Sequence, residues 1–225
     1  MTGSGSKAFW EKAAKEDPAW HIATKFKTLD EDFYESGRKE VNEFLYRAGL
    51  ELTRTQVLLE LGCGAGRMTR EFASKALRVI ATDVSPKMLE LARNHLTSFK
   101  NVDYLELDGN GNLPVDSGSV DAVFSYITMQ HVPTALAQER YLAESIRVLK
   151  LGGWGLLQFR KPGILPRILD WIGHIAHAVS GKRTLNAAWR GSRIKKRRIV
   201  ELAAVCQKYE FIPIGRRHIW LKFET

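Results

Sequence analysis

The stretch Val57-Leu58-Leu59-Glu60-Leu61-Gly62-Cys63-Gly64-Ala65-Gly66-Arg67, running on to Pro86 as MTREFASKALRVIATDVSP, decides the fold of this 225-residue chain. Residues 57–61 are apolar apart from Glu60, too few for a helix and suited to a buried parallel strand. Residues 62–66 read as a tight turn, residues 67–76 as a helix, and residues 78–82 as a second strand that ends on Asp83. A strand, a glycine turn, a helix and a second strand tipped by a carboxylate form the layout that binds an adenosine-type cofactor.

Two details choose among such cofactors. A dinucleotide site carries G-x-G-x-x-G and lays a pyrophosphate on the helix N-terminus. Here the glycines read G-x-G-x-G, and Glu60 stands two positions before the first of them. A carboxylate there repels pyrophosphate and favours the ammonium and sulfonium of S-adenosylmethionine, which has no phosphate. Asp83 lies 21 residues beyond Gly62, placed to accept hydrogen bonds from both ribose hydroxyls. With these residues in view, E-L-G-C-G-A-G-R (60–67) and A-T-D-V-S-P-K-M-L (81–89) resemble the class I S-adenosylmethionine-dependent methyltransferases of small-molecule type. The resemblance covers residues 55–160 and, more loosely, the C-terminal end. It implies an α/β fold: a Rossmann-like, seven-stranded, mostly parallel sheet with a terminal antiparallel hairpin and helices on both faces. It further implies S-adenosyl-L-methionine as cofactor, S-adenosyl-L-homocysteine as product, and transfer of a methyl group to oxygen, or less favourably nitrogen, of an acceptor.

The expected organisation is an N-terminal helical cap (1–50), a cofactor-binding core (51–160), an amphipathic basic insertion (161–194), and a C-terminal helix and hairpin (195–225). In the cap, residues 7–16 form a short helix stopped by Asp17-Pro18, and residues 1–6 read as a flexible tail outside the fold. A longer helix runs over 30–48, with Asp30 as N-cap and Gly49 at its end. Related methyltransferases close such helices across the cofactor, which puts Tyr34 at the cofactor or, alternatively, among packing aromatics with Phe33 and Trp20.

In the core, the resemblance implies that Glu60 with the glycine turn (Gly62, Cys63, Gly64) holds the methionine end and Asp83 the ribose, with Arg67, Val84, Tyr126 and Ile127 as further cofactor-binding residues. Ser85 caps the next helix and Pro86 occupies its first position. Met88 either faces the adenine or fills the core. A third strand (102–107) delivers Asp108, Gly109 and Asn110 to the adenine edge, with the contacting residue somewhere within that trio. Residues 113–125 read as a turn followed by a fourth strand, in which Asp121 starts the strand away from the cofactor and is structural. The other end of that strand gives Tyr126, Ile127 and, after Thr128-Met129-Gln130, His131. In open α/β sheets the crevice lies beyond the carboxyl ends of the strands, so this loop borders the transferred methyl. An imidazole, titrating near pH 6.5, suits a base that takes a proton as methyl transfer proceeds. The alternatives for His131 are a loop-orienting role, or transfer by alignment alone without a base. Residues 135–150 form a helix with Gly152 as its left-handed C-cap, followed by a fifth strand over 154–159.

The charge is lopsided. From Lys150 onward 16 Lys and Arg face 4 Asp and Glu, whereas the first 149 residues hold 18 against 21. Within the insertion, Ile164, Leu165, Ile168, Leu169, Ile172, Ile175, Ala176 and Val179 fall in one helical arc of about 140°. Three readings stand: a helix packed on its own domain, a lid over a hydrophobic acceptor, or a contact with an anionic membrane surface. His174 and His177 have no third ligand at metal spacing, so no metal is expected. The basic run at 185–198 also suits an acidic substrate or RNA, which makes a tRNA methyltransferase the second function class and a non-catalytic cofactor-binding protein the third. The cysteines, Cys63 and Cys206, fit neither a metal quartet nor a disulfide, and Cys206 falls in a helix expected over 199–209. No apolar run approaches the roughly 20 residues of a membrane span, and the N-terminus lacks the apolar core of a signal peptide, so the expected location is cytoplasmic, with a peripheral membrane contact allowed.

Overall fold

The computed structural model describes residues 3–160, 192–214 and 218–225. Three helices precede the sheet: α1 (Gly3–Glu16), α2 (Pro18–Ile22) and α3 (Glu31–Ala48). Asp17 caps α2 and Asp30 caps α3, the latter through its carboxylate and the Phe33 N–H at 3.1 Å; Gly49 closes α3 in the left-handed conformation. The helix α1 begins earlier than the sequence suggests. Gly3 to Ser6 belong to its first turns, so this segment is part of the fold and no tail.

The strands β1 (Val57–Leu61), β2 (Arg78–Asp83), β3 (Val102–Glu106), β4 (Val120–Ser125), β5 (Leu149–Arg160), β6 (Lys208–Ile212) and β7 (His218–Glu224) make one sheet in the order β3-β2-β1-β4-β5-β7-β6. All pairs from β3 to β5 are parallel, and β7 runs antiparallel to both β5 and β6. The strand order reverses between β1 and β4, which opens a crevice at their carboxyl ends. The helices α4 (Thr69–Lys75), α5 (Pro86–His95), α6 (Ala135–Val148) and α7 (Lys196–Ala203) cover the sheet among the described residues.

Side-chain alternation along β1 divides the interior into two cores. Leu58 joins Phe72, Phe124 and Trp220 beneath α3 and α4, whereas Leu59 and Leu61 join Leu142, Leu157 and Phe223 beneath α6 and α7. Fully burying each of these large apolar side chains stabilises the fold by ~1.5–3 kcal/mol. The same two-residue period sends Glu60 to the α3/α4 face, where it is almost wholly buried. Asp121 accepts the Val57 N–H at 2.7 Å and pairs with Lys150 at 2.9 Å, so it ties the far end of the sheet, as its position in the sequence suggests.

Three expectations fail locally. Gly152 does not cap α6, which stops at Val148 because Leu149 is already extended and paired with Val120; Gly152, at φ 78°, lies inside β5 where the register with β4 slips. The C-terminal helix spans Lys196–Ala203 rather than 199–209, because Lys208–Ile212 pair with β7 and that pairing overrides local helical periodicity. Cys206 therefore sits in the turn after α7. The amphipathic insertion, including its helix at 164–179, His174, His177 and the start of the basic run, lies outside the described residues. The return of the chain from it is pinned by buried Gln138, whose amide donates to the Ser192 carbonyl at 2.8 Å and accepts the Ile194 N–H at 3.0 Å.

Candidate functional site

The glycine turn hangs from the end of β2: the N–H groups of Gly62 and Cys63 both donate to the Thr82 carbonyl at 2.8 Å. Gly62, Gly64 and Gly66 have φ of 77°, 54° and 84°, a region that favours glycine. At Gly62 the need is also steric, since a Cβ would stand 2.1 Å from Thr128 Oγ1. Thr128 in turn donates to the Leu61 carbonyl at 2.9 Å and so braces the turn from the β4 side.

Asp83 closes the turn from the other side. One carboxylate oxygen accepts the Gly64 N–H at 3.0 Å and the other the Ser85 N–H at 2.9 Å, which leaves further lone pairs turned to the cleft. Burial pushes its pKa up to about 6 against the lowering effect of these amides. Glu60, buried beneath the turn, is pushed up to about 7 by burial, against the Thr69 hydroxyl that donates to it at 2.6 Å and the Arg67 charge. The two carboxyls sit at one end of the site, half-ready to ionise. Burial raises the Cys63 thiol as well, so it is an unreactive wall group.

The main cleft, about 850 Å³ including its mouth, lies at the carboxyl ends of β1, β2 and β4. Gly62, Gly64, Asp83, Val84, Met88, Gly109, Tyr126, Ile127 and His131 line it, as their positions in the sequence suggest. Met88 is almost fully buried, as its core-filling reading requires, and it also lines the cleft. A smaller adjoining cavity of about 350 Å³ takes in Glu60, Cys63 and Arg67 and shares Gly62, Tyr126 and Ile127 with the main cleft.

Tyr34, Asp108 and Asn110 line neither cavity. Tyr34 is buried behind the turn, where its hydroxyl donates to the Ala65 carbonyl at 3.2 Å. The packing alternative holds for it, and Trp20 likewise stands outside both cavities, edge-on to His21. Asp108 turns its carboxylate onto its own loop, accepting from the Asn110 N–H at 2.7 Å and the Asn112 amide at 2.6 Å, so Gly109 alone of the trio reaches the cleft. The value of the F-Y-E-S-G-R segment lies elsewhere. A Cβ on Gly37 would stand 2.1 Å from the Arg67 carbonyl oxygen, so α3 docks backbone to backbone on the turn. Arg67, buried, is held there by Glu40 at 2.7 Å and Ser36 at 3.1 Å.

Ile127 has φ 56°, a conformation that costs a β-branched residue roughly 1–2 kcal/mol. Its N–H donates to buried Gln158 at 3.0 Å, and this bond holds the strained residue in the wall of both cavities. Behind it, Tyr126 stacks on Trp220 at 5.6 Å, with an interplanar angle of 13°. His131 closes a short 3₁₀ turn (Met129–His131). The Gln130 side chain bridges two imidazoles: its nitrogen lies 3.1 Å from His131 Nε2 and its oxygen 3.2 Å from His218 Nε2. With the oxygen accepting from His218, the nitrogen donates to His131, whose Nε2 is then the acceptor and whose Nδ1 carries the proton.

The helices α1 and α2 add Ser6, Trp10, His21 and Ile22 to the wall, residues of the expected helical cap that sequence reading did not assign to the site. Trp10 meets His131 edge-to-face at 5.2 Å. Glu11 docks α1 by accepting from the Ser85 hydroxyl at 2.6 Å and the Lys87 N–H at 2.9 Å, and Lys7 pairs with Glu106. An aromatic residue next to a glutamate on a short N-terminal helix is the signal that pointed there, but only α5 shows what it meets.

The carboxylates fit a cationic, phosphate-free adenosine cofactor. Three glycines give the backbone room at the turn, Asp83 offers paired acceptors for a diol, and Glu60 lies where a positive charge is needed.

Comparison with known proteins agrees with this geometry. Residues 59–157 match the model of the methyltransferase domain family. A demethylmenaquinone methyltransferase of Tropheryma whipplei (strain Twist) is 34% identical over 104 residues, 46% of this chain and 41% of that protein. A ubiquinone biosynthesis O-methyltransferase of Xanthomonas oryzae pv. oryzae is 36% identical over 107 residues, 47% of this chain and 43% of its own length. The matched segment thus spans about two-fifths of these curated relatives. Among solved structures, phosphoethanolamine N-methyltransferase 1 of Haemonchus contortus, in complex with phosphoethanolamine and S-adenosylhomocysteine, superposes with a TM-score of 0.69 at 19% identity over 99% of this chain and 49% of that one. N-methyltransferase NodS of Bradyrhizobium japonicum WM9 superposes with a TM-score of 0.65 at 11% identity over 98% of both chains. These two likenesses establish the fold.

Proposed function

Because residues 59–157 match the methyltransferase domain family, we propose that this chain is a class I S-adenosylmethionine-dependent methyltransferase that methylates an oxygen of a small, largely apolar acceptor. The observation that carries the reading is the polarity of the cleft. Asp83 lines the cleft and Glu60 the adjoining cavity, while Trp10, Met129, Val132 and Pro133 give the cleft an apolar and aromatic wall. Such a wall suits a ring-bearing or lipid-like acceptor better than a charged amine or a polynucleotide. The name of the ubiquinone biosynthesis O-methyltransferase supports a hydroxyl acceptor, and that of the demethylmenaquinone methyltransferase supports a quinone-type ring. In the described part of the basic run, Arg197 pairs with Glu201, and Arg198 with Glu139 and Glu201, which reduces the charge left for RNA. An acceptor with an apolar tail fits a cytoplasmic protein working at a membrane surface.

When bound, S-adenosylmethionine supplies a methyl group already activated on a sulfonium. The protein's share is orientation. Asp83 holds the ribose diol, Glu60 balances positive charge from beneath the turn, and Ile127 and Tyr126 shape the passage between the two cavities. His131, set by Gln130, presents its ring to the acceptor end beside Trp10 and steers the hydroxyl into line.

The test supplies S-adenosylmethionine with a panel of phenols and hydroquinones, with and without prenyl tails, beside primary amines and tRNA. Methylation of a phenolic oxygen is the expected result, and methylation of amines or tRNA alone overturns the reading. In the same assay His131→Ala is expected to lower turnover roughly tenfold to a hundredfold, the cost of a misaligned acceptor. Affinity for S-adenosylhomocysteine, measured by calorimetry, should change less than about threefold, as expected for a group that faces the acceptor. A variant with full turnover would assign His131 to loop structure only.

A further inference from the structure

Tyr141, on α6, is an almost fully buried wall residue of the main cleft, yet its hydroxyl has no hydrogen-bond partner among the described residues. A buried hydroxyl left unbonded is costly, and such groups are rare in native proteins unless something else occupies the site. The loop that follows β3 packs directly against this part of α6. A Cβ on Gly111 would stand 2.7 Å from the Ala137 carbonyl oxygen and 3.3 Å from the Tyr141 nitrogen, so Gly111 keeps the loop and helix in contact. The amides of Gly109 and Gly111 lie close enough to favour negative charge on the phenolic oxygen, but neither reaches it in bonding geometry. Burial raises the hydroxyl well above its usual range, so it stays protonated and is available as a donor.

The neighbours indicate what the donor meets. From the glycine turn the wall passes Asp83, the diol-binding group, then Val84 and Met88, and reaches Leu107 and Gly109 at the end of β3. Tyr141 shares this wall and packs in one core with Leu107 and Leu113. A nucleoside whose ribose is held at Asp83 directs its base toward β3, because β3 is the strand beside β2. A flat purine there meets apolar surface on Val84, Met88 and Leu107. Asp108, which could have read its edge, is committed to its own loop.

We propose that the Tyr141 hydroxyl is a base-reading group of this site, donating a hydrogen bond to a ring nitrogen of the purine. The proposal rests on the cofactor reading above and assigns a contact to a residue of α6, outside the strand-end loops.

The test is Tyr141→Phe, which removes one oxygen and keeps the ring. S-adenosylhomocysteine is titrated by calorimetry into both proteins, together with its 1-deaza, 3-deaza and 7-deaza purine analogues. The wild-type protein is expected to bind one of the three analogues about fivefold to tenfold more weakly than the parent, the loss typical of one neutral hydrogen bond. The phenylalanine variant should bind the parent with that same loss and no longer distinguish that analogue from it. Ligand-free, the variant should unfold at the same temperature as the wild type or higher, since no bond is removed. Parental affinity equal to wild type, with a lowered unfolding temperature, overturns the proposal and returns the hydroxyl to the Gly109–Gly111 loop. An analogue pattern unchanged by the substitution overturns it too. Failure of the wild-type protein to bind S-adenosylhomocysteine at all is a separate outcome, which overturns the cofactor reading and this assignment with it.

Discussion

Asp83→Asn is expected to weaken binding of S-adenosylmethionine by about two orders of magnitude. In the wild-type protein each Asp83 oxygen accepts a backbone N–H, from Gly64 at 3.0 Å and from Ser85 at 2.9 Å. An asparagine can keep only one of these, because its amide nitrogen would face a donor with a donor. Loss of the charge removes the strong form of the ribose hydrogen bonds, worth roughly 1.5–3 kcal/mol each. A net loss of about 3 kcal/mol corresponds to roughly a hundredfold in affinity. Calorimetric titration reads this directly, and a loss under about threefold would show that Asp83 does not hold the cofactor.

The same carboxyl and Glu60 give the site a pH dependence whose sign is fixed. Burial raises both, Asp83 to about 6 and Glu60 to about 7, above their ordinary values of 3.8 and 4.5. A raised acid adds stability that is fully present below its ordinary value and is lost as pH climbs through the raised one. The ligand-free protein should therefore lose stability between about pH 4 and pH 7 on account of these two groups. A cationic ligand favours their ionised forms, so affinity should rise over the same interval, with protons released on binding near pH 6.5. Titrations in buffers of different ionisation enthalpy measure that release. Proton uptake, or none, would contradict the placement of positive charge beside these acids.

Gly62→Ala is the second large effect. The methyl would stand 2.1 Å from Thr128 Oγ1 and 2.4 Å from Thr128 Cγ2, on a residue with φ 77°. Relief requires Thr128 to leave the Leu61 carbonyl, which frees the turn that presents Gly62 and Gly64. The left-handed penalty adds roughly 1–2 kcal/mol. Together these should lower the unfolding temperature by ten degrees or so and remove measurable cofactor binding, given about 4–8 °C per kcal/mol in small domains and less in larger ones. The double variant Gly62→Ala with Thr128→Gly removes the overlap but not the backbone strain, and should recover part of the stability. A single alanine variant that binds within about threefold of wild type would mean that the turn can yield without cost.

The cofactor half of the site was legible because it is local. Residues 57–83 carry strand, turn, helix and strand in one run, and the spacing from Glu60 to Asp83 follows from that run. The rest of the wall was not, because Trp10, His21, Ile22, Met129 and Tyr141 reach it only through tertiary packing. Tyr34 shows the limit within the legible part. Its place near the turn was readable, but the side from which it approaches depends on the Gly37–Arg67 backbone contact. Asp108 shows another, since a loop rich in asparagine and glycine offers the carboxylate partners of its own. At the C-terminal end, periodicity suggested a helix where pairing with β7 makes a strand.

The docking of α1 is coupled to whatever the cleft holds. Its anchors lie on the elements that bind the ligand: Glu11 on the first turn of α5, Lys7 on β3, and Trp10 against His131. Any ligand touching Trp10 adds its contacts to that docking, and linkage makes the benefit mutual: α1 retains the ligand as strongly as the ligand retains α1. Ligand affinity and helix anchoring are thus one coupling free energy: whatever docks α1 more firmly also binds more tightly any ligand that touches Trp10.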